Sequence, residues 1–174
     1  MYKRQGGGRI PIFCDTTSCT HTLLFETGGD ILTPENREKY KQLKIMDITQ
    51  WLKEVVLPRI KVIRPKNRIL LHPTCSCQIM GLTPVLLDIA RKCAREVILP
   101  DNWGCCGASG DRGFIFPELS DSATRDERDE IGHESFDGCY SLARTCEIAM
   151  QDHIEQPYES IVYLVDETIQ DQGT

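Results

Sequence analysis

The sequence predicts an α/β fold made of two pseudo-repeated parallel-sheet halves, with cysteine-bearing loops at the C-terminal ends of the strands. Three observations carry this. Short apolar runs alternate with stretches of helical spacing, the pattern of βα units. Loops that follow predicted strands hold Cys14, Cys19, Cys75, Cys77, Cys105 and Cys106. The two ends of the chain also share an order of elements, a weak internal repeat.

Taken in order, Ile10, Ile12 and Phe13 form a short strand that runs into Cys14-Asp15-Thr16-Thr17-Ser18-Cys19. His21 to Thr27 continue with helical character until Gly28-Gly29 stops them. Thr33-Pro34 is a cap followed by a first-turn proline, opening a polar helix to about Leu43. Ile45 to Ile48 read as a strand, and Ile48, Trp51, Leu52, Val55 and Val56 then fall at helical spacing. Pro58 and Pro65 bracket a linker-like stretch.

From Arg68 the pattern restarts. Ile69-Leu70-Leu71 is a buried-type strand, His72 to Cys77 a loop, Thr83-Pro84 the start of a helix to about Ala94, and Glu96 to Leu99 a second strand. Strand, loop, helix and strand at this spacing make a βαβ unit, which requires parallel strands with the loops at their C-terminal ends. Ligand sites collect there in such sheets.

The repeat sets Ser18-Cys19-Thr20, then Ile45 to Ile48 and a closing helix, against Thr145-Cys146-Glu147, then Ser160-Ile161-Val162 and its closing segment. Nothing upstream of Cys14 matches the Arg68 to Gly107 stretch. Residues 1–66 therefore read as the truncated C-terminal half of a first repeat and residues 67–174 as a complete second one, as expected of a piece of a longer protein.

A formal net charge of −6 without a basic stripe argues against a nucleic-acid or anionic-membrane surface, both of which need clustered Lys and Arg. The longest apolar runs, Pro84 to Ala90 and Ile161 to Val165, fall far short of the roughly 20 residues that cross a bilayer. Met1 to Gly8 lacks the apolar core of a signal peptide, so a cytoplasmic location is expected. Nine cysteines in 174 residues, an odd number, then suggest metal binding or redox work more than structural bridges.

Cys105, Cys106 and Gly107 are the strongest single signal. Neighbouring Cα atoms sit about 3.8 Å apart, closer than the 4.4 to 6.8 Å of ordinary disulfides, so an adjacent pair bridges poorly with itself. Glycine after the pair lets the backbone approach a bulky centre, and the run Ala108 to Gly113 prolongs the turn. Thiolate-rich sets select iron–sulfur clusters or zinc. Two further cysteines are plausible partners: 29 residues separate Cys75 from Cys105, and 39 separate Cys106 from Cys146, which stands at a predicted helix start where the dipole favours an anion. Cys19, at the matching point of the other half, is a candidate fifth ligand.

The segments His72-Pro73-Thr74-Cys75, Asn102-Trp103-Gly104-Cys105-Cys106-Gly107, Gly110-Asp111-Arg112-Gly113-Phe114 with Pro117-Glu118-Leu119, and Ala143-Arg144-Thr145-Cys146-Glu147 resemble the CCG cysteine-rich domain. In detail they are similar to the C-terminal region of bacterial FAD-linked D-lactate dehydrogenases of the glycolate-oxidase-like class, which is related to heterodisulfide reductase. The resemblance implies two CCG repeats and an iron–sulfur cluster of the 4Fe-4S kind, for which Cys75, Cys105, Cys106 and Cys146, with Cys19 as a fifth, are the expected ligands; the alternative is a structural zinc or metal-free thiol module that holds an assembly interface of the same enzyme. It also implies upstream FAD and ferredoxin-type domains, a quinone or cytochrome acceptor, and peripheral association of the full enzyme with the inner face of the membrane. No substrate-transforming residue is expected in this chain. The family pattern ends in Cys-x-x-Cys, whereas here Ala143 and Thr16 stand where the first cysteine of each pair would be; Cys75, Cys105, Cys106 and Cys146 still supply four thiolates.

Simpler roles are expected elsewhere. Cys93 lies among Ala90, Ala94 and Val97 as a small core residue, and Cys14, Cys77 and Cys139 fall off the family positions. His72 is expected to order its loop by a hydrogen bond, Asp111 and Arg112 to pair internally, Trp103 to cover the pocket, and the run Asp121 to Glu134 to form a solvated helix face.

Overall fold

The computed structural model describes residues 2–27 and 31–169, and within them the chain is an α/β protein with two parallel sheets. The smaller sheet pairs β1 (Ile12–Cys14) with β2 (Ile45–Asp47), placing Cys14 opposite Asp47. The larger has the order β4-β3-β5-β6, with β3 at Lys66–Leu71, β4 at Ala94–Ile98, β5 at Gly138–Ser141 and β6 at Tyr158–Ser160. Among the described residues no helix is long and apolar enough to cross a membrane.

Beta3 and β4 are parallel neighbours joined through α4 (Cys75–Ile79) and α5 (Thr83–Cys93), the βαβ unit expected from the spacing. The second half of β3, Ile69-Leu70-Leu71, is apolar without alternation because helices cover both faces there, as in parallel sheets. Its Ile69 and Leu71 join Leu86, Ile89 and Cys93 of α5 in one core, together with Ile161 and Leu164 of α9 (Ile161–Thr168). Cys93 is thus a core residue, as its apolar surroundings suggested. Leu70 points the other way, into a second core with Cys139, Met150 and Tyr158. That face is covered by α7 (Pro117–Ile131) and α8 (Arg144–Ile154).

An order of elements recurs. Strand β1 leads into α1 (Thr17–His21), and β2 into α3 (Ile48–Trp51), whose Asp47 cap accepts from the Thr49 amide at 2.9 Å and completes a capping box with Gln50. Likewise β5 leads into α8, and β6 into α9, capped by Ser160. Cys19 and Cys146 are each the third residue of their helix. The Thr17 amide donates to the Leu142 carbonyl at 3.2 Å, so the start of α1 meets the β5–α8 loop.

Several element boundaries differ from the sequence reading. Helix α1 begins at Thr17, so Cys19 lies in a helix and not in the preceding loop. Both α1 and α3 continue as π-type turns, over Thr22–Glu26 and Leu52–Val56. The polar helix after Thr33, α2, covers Pro34–Lys41. Strand β6 ends at Ser160, because that residue's hydroxyl accepts the Val162 amide and starts α9, so Ile161 and Val162, set against the predicted strand Ile45 to Ile48 by the repeat, are helical. Between Pro58 and Pro65, Val62 bridges Ile169, so the stretch is tied to the C-terminal segment. The helix stop at Gly28-Gly29 lies outside the described residues.

Candidate functional site

Three structural pieces at the C-terminal end of the larger sheet bring four thiols together. Cys75 opens α4, where the Thr74 hydroxyl accepts from the Cys77 amide at 3.2 Å and turns the expected loop into a capped helical turn. Cys105 and Cys106 lie on the loop between β4 and α6 (Arg112–Ile115). Cys146 stands in the first turn of α8.

The loop is held at both ends. Before the cysteines, Glu130 of α7 accepts from the Asp101 amide at 2.7 Å, the Asn102 amide at 2.8 Å and the Asn102 side chain at 3.0 Å. After them the chain turns through positive φ at Gly107, Ser109 and Gly110, and the Gly113 amide donates to the Ala108 carbonyl at 2.8 Å. Trp103 is half-buried. Among the described residues no Asp111–Arg112 ion pair forms; Asp111 is exposed, and its carbonyl accepts from the Phe114 amide at 3.1 Å.

The backbone amides hold the Glu130 carboxyl below the ordinary 4.5 of glutamate. A lowered carboxylate stabilises the fold above 4.5, and this contribution is lost as the pH falls through the folded value beneath it. Wild-type and Glu130→Gln chains are expected to differ in urea midpoint at neutral pH and to converge on acidification. A gap that stays constant with pH would refute the anchoring role, and Trp103 emission should follow the same trend.

One pair of the thiols touches. Cys106 and Cys146 are both buried with their Sγ atoms 3.0 Å apart, while Cys75 and Cys105 are exposed. Cys105 interacts electrostatically with Cys106 and with Cys75, and the Gly107 amide donates to its sulfur at 3.4 Å. Contact with Cys106 and then burial push the Cys105 thiol up. Burial, followed by the charge of Cys105, raises Cys75. For Cys106, the bond with Cys105 pulls downward, but the Cys146 contact and burial outweigh it and leave the thiol at about 12. Cys75, Cys105 and Cys106 therefore resist ionising, and a bound cation would reverse that.

Cys19 is exposed on α1 beside Cys14, whose thiol is raised by burial and by the Cys19 charge. Burial holds Cys77 and Cys139 at about 12, consistent with core roles. Among the described residues no group of three or more His, Cys, Asp or Glu side chains is already spaced around one metal ion.

Beneath the thiols lies a pair that the sequence did not disclose. His72 is fully buried, and its Nδ1 meets both carboxylate oxygens of Glu127, at 3.0 and 3.2 Å. The Ser141 hydroxyl donates to the His72 carbonyl at 2.8 Å. His72 therefore orders its loop, as expected, but through α7. The expectation of a solvated face over Asp121 to Glu134 is corrected: Ser120, Thr124, Glu127 and Ile131 are buried. Their spacing of four, three and four residues was the available signal, hidden by the surrounding charges. His72 Nε2 and the Tyr158 hydroxyl are buried without a partner among the described residues.

A cavity of about 790 Å³ opens elsewhere, between Phe13 and Trp51 on one side and Arg144, Glu147, Glu159 and Tyr163 on the other; none of the four thiols lines it. Burial raises the Glu147 carboxyl, partly offset by Arg144 at 3.1 Å. No protein-family model and no curated protein matches this chain.

Proposed function

We propose that this chain is an electron-transfer, iron–sulfur-type cysteine-rich domain of an FAD-linked 2-hydroxy-acid dehydrogenase, D-lactate being the substrate class, that passes electrons from flavin to a quinone or cytochrome. The observation that carries this reading is the buried Cys106–Cys146 contact at 3.0 Å, with Cys105 and Cys75 close enough to influence one another's ionisation beside it. Soft sulfur donors in one place suit iron–sulfur chemistry. The bonds that set the acidity of Cys105 and Cys106 come from other thiols and from backbone amides.

Each residue then has a task. Cys75, Cys105, Cys106 and Cys146 would hold the group, which when bound accepts and donates single electrons. Cys106 and Cys146, buried with Ala108 and Met150, keep water from one side. Exposed Cys75 and Cys105 face outward, the side from which a donor or acceptor must approach. Phe114, Ile115, Phe116 and Leu119, just after the loop, are exposed and form an apolar patch suited to docking the flavin or ferredoxin-type domain.

Anaerobic reconstitution with ferrous iron and sulfide tests the proposal. Iron and sulfide should be retained together, with a visible charge-transfer band, and Cys106→Ser or Cys146→Ser should abolish retention. Iron and sulfide near zero in the wild-type chain would sink the cluster reading. Stoichiometric zinc without sulfide would point to a structural metal.

A further inference from the structure

The geometry points to a second activity of these thiols: we infer that Cys106 and Cys146 form a reversible intramolecular disulfide when the chain meets a hydroperoxide. Their sulfurs are 3.0 Å apart, and a disulfide bond is about 2.05 Å, so closing it needs about 1 Å of approach. As metal ligands they would have to separate. Two sulfurs bound at about 2.3 Å on one tetrahedral ion lie about 3.8 Å apart. At 3.0 Å the pair lies between the two spacings, closer together than two ligands of one ion and within about 1 Å of a bond.

Competing bridges are less favoured. Cys105 and Cys106 are adjacent, which strains a direct bond between them. Cys139 shares the buried core with Cys106 and Cys146, but it is fixed in the middle of β5, whereas Cys106 rides on a loop between half-buried and turning residues.

The chemistry balances with peroxide as the oxidant. One thiol of the pair attacks a peroxide oxygen: a sulfur–oxygen bond forms, the oxygen–oxygen bond breaks, and a sulfenic acid and one water result. The second thiol attacks that sulfur: the sulfur–sulfur bond forms, the sulfur–oxygen bond breaks, and the departing hydroxide takes the second proton as water. Two thiols lose two electrons and two protons, and one peroxide becomes two waters. A thiol reductant reverses the bond by exchange.

The bridge removes two of the four proposed ligands, so oxidation and metal loading exclude each other; this last consequence alone rests on the iron–sulfur reading. The full chain, its metal content first measured and then stripped by chelation, is titrated with hydrogen peroxide, blocked with N-ethylmaleimide in denaturant so that buried thiols react too, and digested without reductant. Mass spectrometry should find Cys106 linked to Cys146, the other seven of the nine cysteines alkylated, and the link lost after dithiothreitol. Linkage should persist in Cys105→Ser and Cys75→Ser chains. A dominant Cys75–Cys105 link, or oxidised Cys105 with both Cys106 and Cys146 alkylated, would overturn the inference. Reduced and oxidised chains are then offered ferrous iron and sulfide. Uptake by the reduced form alone supports mutual exclusion, and equal uptake by both overturns it. Uptake by neither defeats the iron–sulfur reading and leaves the disulfide standing.

Discussion

Gly107→Ala is expected to lower stability by about 2–5 kcal/mol, combining the left-handed backbone penalty of about 1–2 kcal/mol with overpacking of about 1–3 kcal/mol. Gly107 has φ +73°, and a methyl group there would lie 2.6 Å from the Leu119 carbonyl oxygen and 2.7 Å from the Ser120 Cα. Both are backbone atoms of α7 and cannot swing aside. Either α7 shifts or the Cys105–Cys106 loop lifts away from it. Lifting the loop would also uncover Cys106, so alkylation of that thiol should speed up along with the fall in the urea midpoint. Gly104→Ala, on the same loop, is the control: a methyl there meets nothing within 4 Å, and the change should stay within about 0.5 kcal/mol. Equal effects at the two glycines would refute the close approach of loop and helix.

The second large effect is expected from Glu127→Ala, at about 2–4 kcal/mol, because it leaves the buried His72 Nδ1 hydrogen without an acceptor and opens a cavity beneath the thiols. His72 is 0% exposed and Glu127 2%, so water reaches neither easily. Replacing both partners with apolar residues removes the orphaned donor, and a Glu127→Leu, His72→Leu double variant should lose less than the sum of the two single changes. Urea unfolding of the four chains measures the coupling. Strict additivity would mean that His72 and Glu127 act independently and that the loop after β3 is held by other bonds. The same chains, alkylated under native conditions, show whether this pair also keeps Cys75 at its place at the start of α4.

Much of the chain was legible from local pattern. Continuous apolar runs marked β3, proline after a capping position marked the start of α2, and the spacing around Arg68 to Leu99 marked the βαβ unit. The convergence of Cys75, Cys105, Cys106 and Cys146 followed from placing loops at the C-terminal ends of parallel strands. Helical boundaries near Cys19 and Ser160 were misplaced because they depend on caps and on pairing with β1 and β5, which no short window contains.

Sequence alone determined which elements form and at which end of the sheet the thiols gather, since periodicity, turn residues and the handedness of βαβ connections are local constraints. Tertiary structure decided the rest. It put Cys106 within 3.0 Å of Cys146 and left Cys75 and Cys105 exposed. It also turned one acidic residue of α7 inward to hold His72. Those outcomes depend on how α7 and α8 pack against the strand faces, and burial of that kind is a property of distant surfaces meeting, so residues with the same local pattern, such as Glu127 and Glu130, end in opposite environments.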